Sequence, residues 1–132
     1  MQQAHDFLEE AATLADLLEN QSEQVFDMVT LFKSWTINDV IGHLYMFDVA
    51  ALKTLESAQA FETFFAPIRA GLNEGKSLLE MQFPFLGTLR GRALFDTWLA
   101  NTEVLAQAYL LADPKQRVSW AGPEMSALSS IT

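Results

Sequence analysis

Thr36 is followed three residues later by Asp39, and Ile37, Val40, Ile41, Leu44, Ala51, Leu52 and Leu55 then recur at helical spacing. No other feature constrains this chain as tightly. A hydroxyl at the N-cap with an acidic side chain at N3 can satisfy two of the backbone donors that open a helix. Asp39 also suits the positive end of the helix dipole. The apolar spacing gives the helix one face to bury. The pattern predicts a long amphipathic helix that loosens near Ser57, its apolar face widened by Tyr45 and Phe47.

The same period marks two further long helices. Ala4, Phe7, Leu8, Ala11, Leu14, Ala15 and Leu18 predict a first helix over roughly the first twenty residues, which Asn20-Gln21-Ser22-Glu23 breaks. Phe95, Trp98, Leu99, Thr102, Leu105, Ala106 and Tyr109 predict another from about Thr88 to Ala112, stopped by Asp113-Pro114, because the residue before a proline avoids the helical region. Val25 to Phe32 reads either as a helical turn or as an extended piece. The stretch from Ala58 to Gly87 reads as irregular. Phe61, Phe64, Phe65 and Ile68 suggest a short helix ended by Gly71 to Gly75, and Leu78, Leu79 and Met81 a further turn before Pro84. After a loop from Val118 to Met125, Ser126 reads as the N-cap of a fourth helix that is barely begun at Thr132. No strand alternation persists. The expected fold class is all-α, one domain over residues 1–132, an up-down bundle with three main helices present and the fourth only begun.

Seventeen acids against eight bases give a formal charge of −9. Such a surface repels phosphate backbones, so nucleic acid is not an expected partner. With no cysteine, disulfides, thiolate metal sites and cysteine nucleophiles are excluded. Asp6, Glu9 and Glu10 give the N-terminus the wrong charge for a signal peptide. No apolar run is long enough to span a membrane, and the expected location is the cytoplasm.

Of the two histidines, His43 is the candidate metal ligand, because neutral imidazole is the commonest side-chain ligand for transition metals. It lies on the flank of the second helix, beside Val40 and Phe47. His5 and Glu9, four residues apart, could chelate but fit an exposed face. Asp48 falls near the middle of the apolar face, where a lone carboxylate is costly. It needs a backbone N–H, a tryptophan N–H or an arginine as partner, and the turn between it and His43 aims the two apart. Trp35 and Trp120 suit bundle ends. Arg90 and Arg92 read as solvated surface or, more sharply, as a clamp for a dicarboxylate, and Gly122-Pro123 as a turn.

The segment Trp35-Thr36-Ile37-x-Asp39-Val40-Ile41-x-His43-Leu44, followed by Asp48, resembles the second helix of the DinB-like superfamily. More narrowly, it resembles the metal-binding N-terminal domain of mycothiol-dependent maleylpyruvate isomerases. Asp113-Pro114, then Arg117-Val118-x-Trp120-x-Gly122-Pro123-x-Met125-Ser126, is similar to the loop leading into the fourth helix in one subgroup, and Trp98 stands as in the family's third helix. The resemblance implies a four-helix bundle around one divalent metal (Zn, Ni or Fe) and a low-molecular-weight thiol as cosubstrate. In such enzymes a metal-stabilised thiolate adds to an activated double bond and leaves again, giving a cis–trans isomerase or a thiol transferase. His43 would be one ligand; the others would be a Glu-x-x-x-His or His-x-x-x-His pair on the fourth helix, beyond Thr132. The expectation is therefore a divalent-metal-binding domain, incomplete and inactive as given. Its alternative is a non-catalytic helical interaction module that forms a homodimer through an open apolar groove. A small-molecule substrate belongs to the first reading only.

Overall fold

The computed structural model describes residues 2–113, 115–118 and 125–126, the last two and Arg117 by their backbone only. The chain folds as an all-α bundle. Its long members are α1 (Gln2–Leu18), α2 (Ile37–Glu56) and α5 (Gly91–Leu110), the three helices that the apolar periodicity marks.

Thr36 caps α2 as expected. Its hydroxyl accepts the Asp39 backbone N–H at 3.1 Å, and the Asp39 carboxylate accepts the Thr36 N–H at 2.9 Å. Before it, Val25 lies in a 3-10 turn over Glu23–Asp27, and Val29 bridges back to Thr36. Lys33 and Ser34 turn the chain with positive φ.

The stretch from Ala58 to Gly87 is more regular than its prolines and glycines suggest. It holds α3 (Ala58–Asn73) and α4 (Leu78–Leu86). Ser57 ends α2 and caps α3, its hydroxyl accepting the Ala60 N–H, and Ser77 does the same for Glu80. Pro67 and Pro84 sit inside these helices, each removing one helical hydrogen bond. Burial of Phe61, Phe65, Ile68 and Gly71 on one face of α3 offsets that loss. Helix α5 starts at Gly91 rather than Thr88. The chain is still extended at Arg90 (φ −150°), and Gly91 has φ +59°, which favours glycine. A Cβ at Gly91 would also strike the Glu23 carboxylate.

Helix α2 is the hub, packing most extensively on α5 and next on α3, while α1 packs on α5 and touches α2 far less. Ala11, Leu18, Phe26, Ile41, Leu94 and Trp98 form the main core; Ala51, Leu105 and Tyr109 a second; Met46, Ala50, Phe61 and Phe65 a third. Ser126, read as a helix N-cap, lies in β2 (Met125–Ser126), paired antiparallel with β1 (Arg117–Val118). Trp120, Gly122-Pro123 and the beginning of the fourth helix fall outside the described residues.

Neither reading of the arginines as solvated surface or as a dicarboxylate clamp holds for Arg92. Its guanidinium donates to the Leu18 and Gln21 carbonyls at 3.1 and 2.9 Å and lies over the Phe26 and Phe95 rings. It closes the C-terminal end of α1, where a cation is favoured. Arg90 is exposed and pairs with Asp27 at 3.3 Å.

Candidate functional site

The capping box fixes where α2 begins and so sets His43 one turn beyond Asp39. The His43 ring is half-buried between two aromatic rings: Trp35, edge-on with centroids 5.7 Å away, and Phe47, one helical turn on, at 4.8 Å. Trp35 reaches it from the tight turn ahead of α2. The His43 Nδ1 is buried and has no hydrogen-bond partner among the described residues. Burial holds the imidazole below its ordinary pKa of 6.5, and the neighbouring Gln82 side chain pulls it partway back. The imidazole is thereby kept neutral near pH 7, the form that ligates metals.

Gln82, on α4, has no counterpart in the sequence reading. It is fully buried, and its Nε2 donates to the Asp39 carbonyl at 3.1 Å. Its Oε1 is buried without a hydrogen-bond partner among the described residues, so its contact with His43 is looser than a formed hydrogen bond. The signal was a lone amide among Leu78, Met81 and Phe85, masked by Pro84.

One imidazole is one ligand, and a zinc-type site needs at least three. Among the described residues no group of three or more His, Asp or Glu converges. These residues alone do not fit a metal ion. His5 and Glu9 stay exposed on α1.

Asp48 sits on another face of α2, opposite α1 and α5. Its Oδ2 is buried and unpartnered among the described residues. Burial raises its carboxyl from 3.8 to about 7, while hydrogen bonding from the Trp98 side chain acts in the opposite direction. Of the three donors open to an aspartate on an apolar face (a backbone N–H, a tryptophan N–H or an arginine), α5 brings the tryptophan nearest. His43 and Asp48 are not brought together.

A larger cleft, about 780 Å³, runs between α1 and α5. Leu8, Ala12, Ala15, Leu99 and Ala100 give it an apolar lining, and Glu9, Asp16, Glu19, Asp96 and Glu103 add carboxylates. No helix among the described residues is long and apolar enough to cross a membrane.

A family model described as the mycothiol maleylpyruvate isomerase N-terminal domain matches residues 7–132. No curated protein and no solved structure matches the chain.

Proposed function

The chain belongs to the mycothiol maleylpyruvate isomerase N-terminal domain family, and from that premise we propose that it is the helical scaffold of a thiol-dependent isomerase or transferase, contributing His43 to a divalent-metal site. The observation that carries this reading is the Nδ1, unpartnered among the described residues, of an imidazole kept neutral by burial. Trp35 and Phe47 restrict the ring, so it needs little ordering to accept a metal. The remaining ligands are not among the described residues, and no chemical step is assigned to His43 itself.

Metal binding tests this directly. Zinc or nickel is titrated into the purified protein, with bound metal measured after dialysis and affinity measured by chelator competition. His43→Ala should lower affinity at least tenfold. Cobalt should broaden the Phe47 and Trp35 resonances in the wild type and spare them in the variant. Equal affinity in both proteins would overturn the assignment.

The cleft between α1 and α5 favours a second reading, a non-catalytic module that forms a homodimer through this apolar surface. Its lining exposes more apolar than polar surface, which a second copy would cover. Two copies meeting here would also bring like charges together, so self-association should strengthen as salt screens the carboxylates. Light scattering after size exclusion at low and high salt distinguishes a dimer from a monomer.

A further inference from the structure

Water cannot reach the Nδ1 of His43 or the Oε1 of Gln82, and neither atom has a hydrogen-bond partner among the described residues. A buried polar atom is nearly always hydrogen-bonded, and one left alone is costly. Because both atoms are sealed, a ligand arriving from outside satisfies neither of them. The two are complementary: an imidazole nitrogen can carry a proton, and an amide oxygen can only accept one.

The surroundings aim the amide at the ring. Gln82 is fully buried on α4, and its Nε2 is committed to the Asp39 carbonyl at 3.1 Å. That bond decides which end of the amide is which, because a flipped amide would set its oxygen against the carbonyl oxygen. Gly42, beside His43 in the chain, is buried and lets α4 come close. A Cβ there would lie 3.3 Å from the Gln82 Nε2 and 2.7 Å from the Leu86 Cδ1. Gln82 acts on the His43 ring in the sense of an acceptor, favouring its protonated form. The contact falls short of a formed hydrogen bond, and closing it satisfies both orphaned atoms together.

We propose that Gln82 is a positioning residue for His43: its Oε1 takes the Nδ1–H, which fixes the ring as the Nδ1–H tautomer and leaves the Nε2 lone pair as the one offered to a ligand. Which imidazole nitrogen binds is set by the hydrogen bond that the other makes, and partners of this kind orient ligand histidines. Contact with Trp35 and Phe47 restricts the ring but does not by itself choose between its nitrogens; an amide acceptor does. What Nε2 is for rests on the reading of His43 as a metal ligand; which nitrogen is held does not.

The test is a long-range proton–nitrogen NMR spectrum of the metal-free protein at pH 8, where the ring is neutral, with His43 assigned in His5→Gln. In the wild type Nδ1 should resonate as the protonated, pyrrole-type nitrogen and Nε2 as the bare, pyridine-type one. Gln82→Met keeps the length of the side chain without an acceptor amide, and its spectrum should shift toward the Nε2–H form that free histidine side chains favour. Phe85→Ala removes the ring that packs on Tyr45 and Phe64 and leaves the amide in place. It should lower stability without moving the tautomer, whereas a purely structural Gln82 would make the two variants alike. Should Gln82→Met fail to fold, the wild type alone decides. An Nε2–H tautomer in the wild type, or an unchanged spectrum in Gln82→Met, would overturn the proposal, while the affinity of His43→Ala for zinc or nickel judges the metal reading separately.

Discussion

The side-chain oxygen of Asn38 accepts the backbone N–H of Gly91 in a buried hydrogen bond of 2.7 Å. It ties the first turn of α2 to the first turn of α5. The Asn38 Nδ2 donates in turn to the Asp27 carboxylate at 2.9 Å, which also receives Arg90. One amide thus fixes three chain segments whose register decides where His43 and Asp48 point.

Asn38→Ala should destabilise the fold by about 1–3 kcal/mol, the cost of leaving a buried N–H unpaired. Asn38→Asp should cost at least as much at neutral pH. It keeps the acceptor for Gly91 but sets a second carboxylate against Asp27. Urea denaturation at pH 7 and pH 4 checks both: the aspartate variant should recover part of its loss in acid, and the alanine variant should not.

Arg92 should resist conservative replacement. Its planar guanidinium reaches two carbonyls of the α1 terminus while lying over two aromatic rings, and a lysine ammonium can do neither in the same place. Arg92→Lys should lose about 1–2 kcal/mol, most of what Arg92→Ala loses. Equal stability of the lysine variant and the wild type, by thermal melts, would show that the contacts are idle.

What the sequence made legible were features that depend on neighbours a few residues apart. The Thr36–Asp39 box and the apolar faces of α1, α2 and α5 are local patterns. So is the divergence of His43 and Asp48, which follows from five residues of helix. The need of Asp48 for a nearby donor was legible too, because a carboxylate on an apolar face is costly alone, although which of three donor types would stand beside it was not. Features set by distant residues were hidden. Pro84 and Gly71 read as breaks because the packing that overrides them comes from other elements. Gly71, for instance, lies against Met81, where a Cβ would collide with the sulfur. The strut made by Arg92 joins residues 18 and 21 to residue 92, and Gln82 reaches Asp39 across 43 positions. No local spacing encodes such pairs.

His43 should make stability sensitive to mild acid. Its pKa is lowered in the folded state, so the unfolded chain takes up the proton first as pH falls below about 6.5. The stability due to the neutral ring is therefore complete above that pH and declines as pH drops toward the folded value. His43→Phe, which keeps an aromatic ring between Trp35 and Phe47, should lose less stability than the wild type between pH 7.5 and 5. Parallel slopes for the two proteins would place the proton uptake elsewhere.

Asp48 has the opposite sign. Its carboxyl is raised from 3.8 to about 7 in the folded state, so the folded chain holds a proton that the unfolded chain has already lost. Its contribution to stability is complete below pH 4 and is lost as pH rises through 7. At about 1.4 kcal/mol per pKa unit the span is on the order of 4 kcal/mol. Asp48→Asn removes the titration and keeps the side chain's size and shape. The variant should be more stable than the wild type at pH 8 by about 2–4 kcal/mol, and the advantage should shrink toward zero at pH 4. Chemical denaturation across that range reads the difference. A variant less stable than the wild type at pH 8 would mean that the Asp48 carboxylate already has its charge compensated, and the raised pKa would fall.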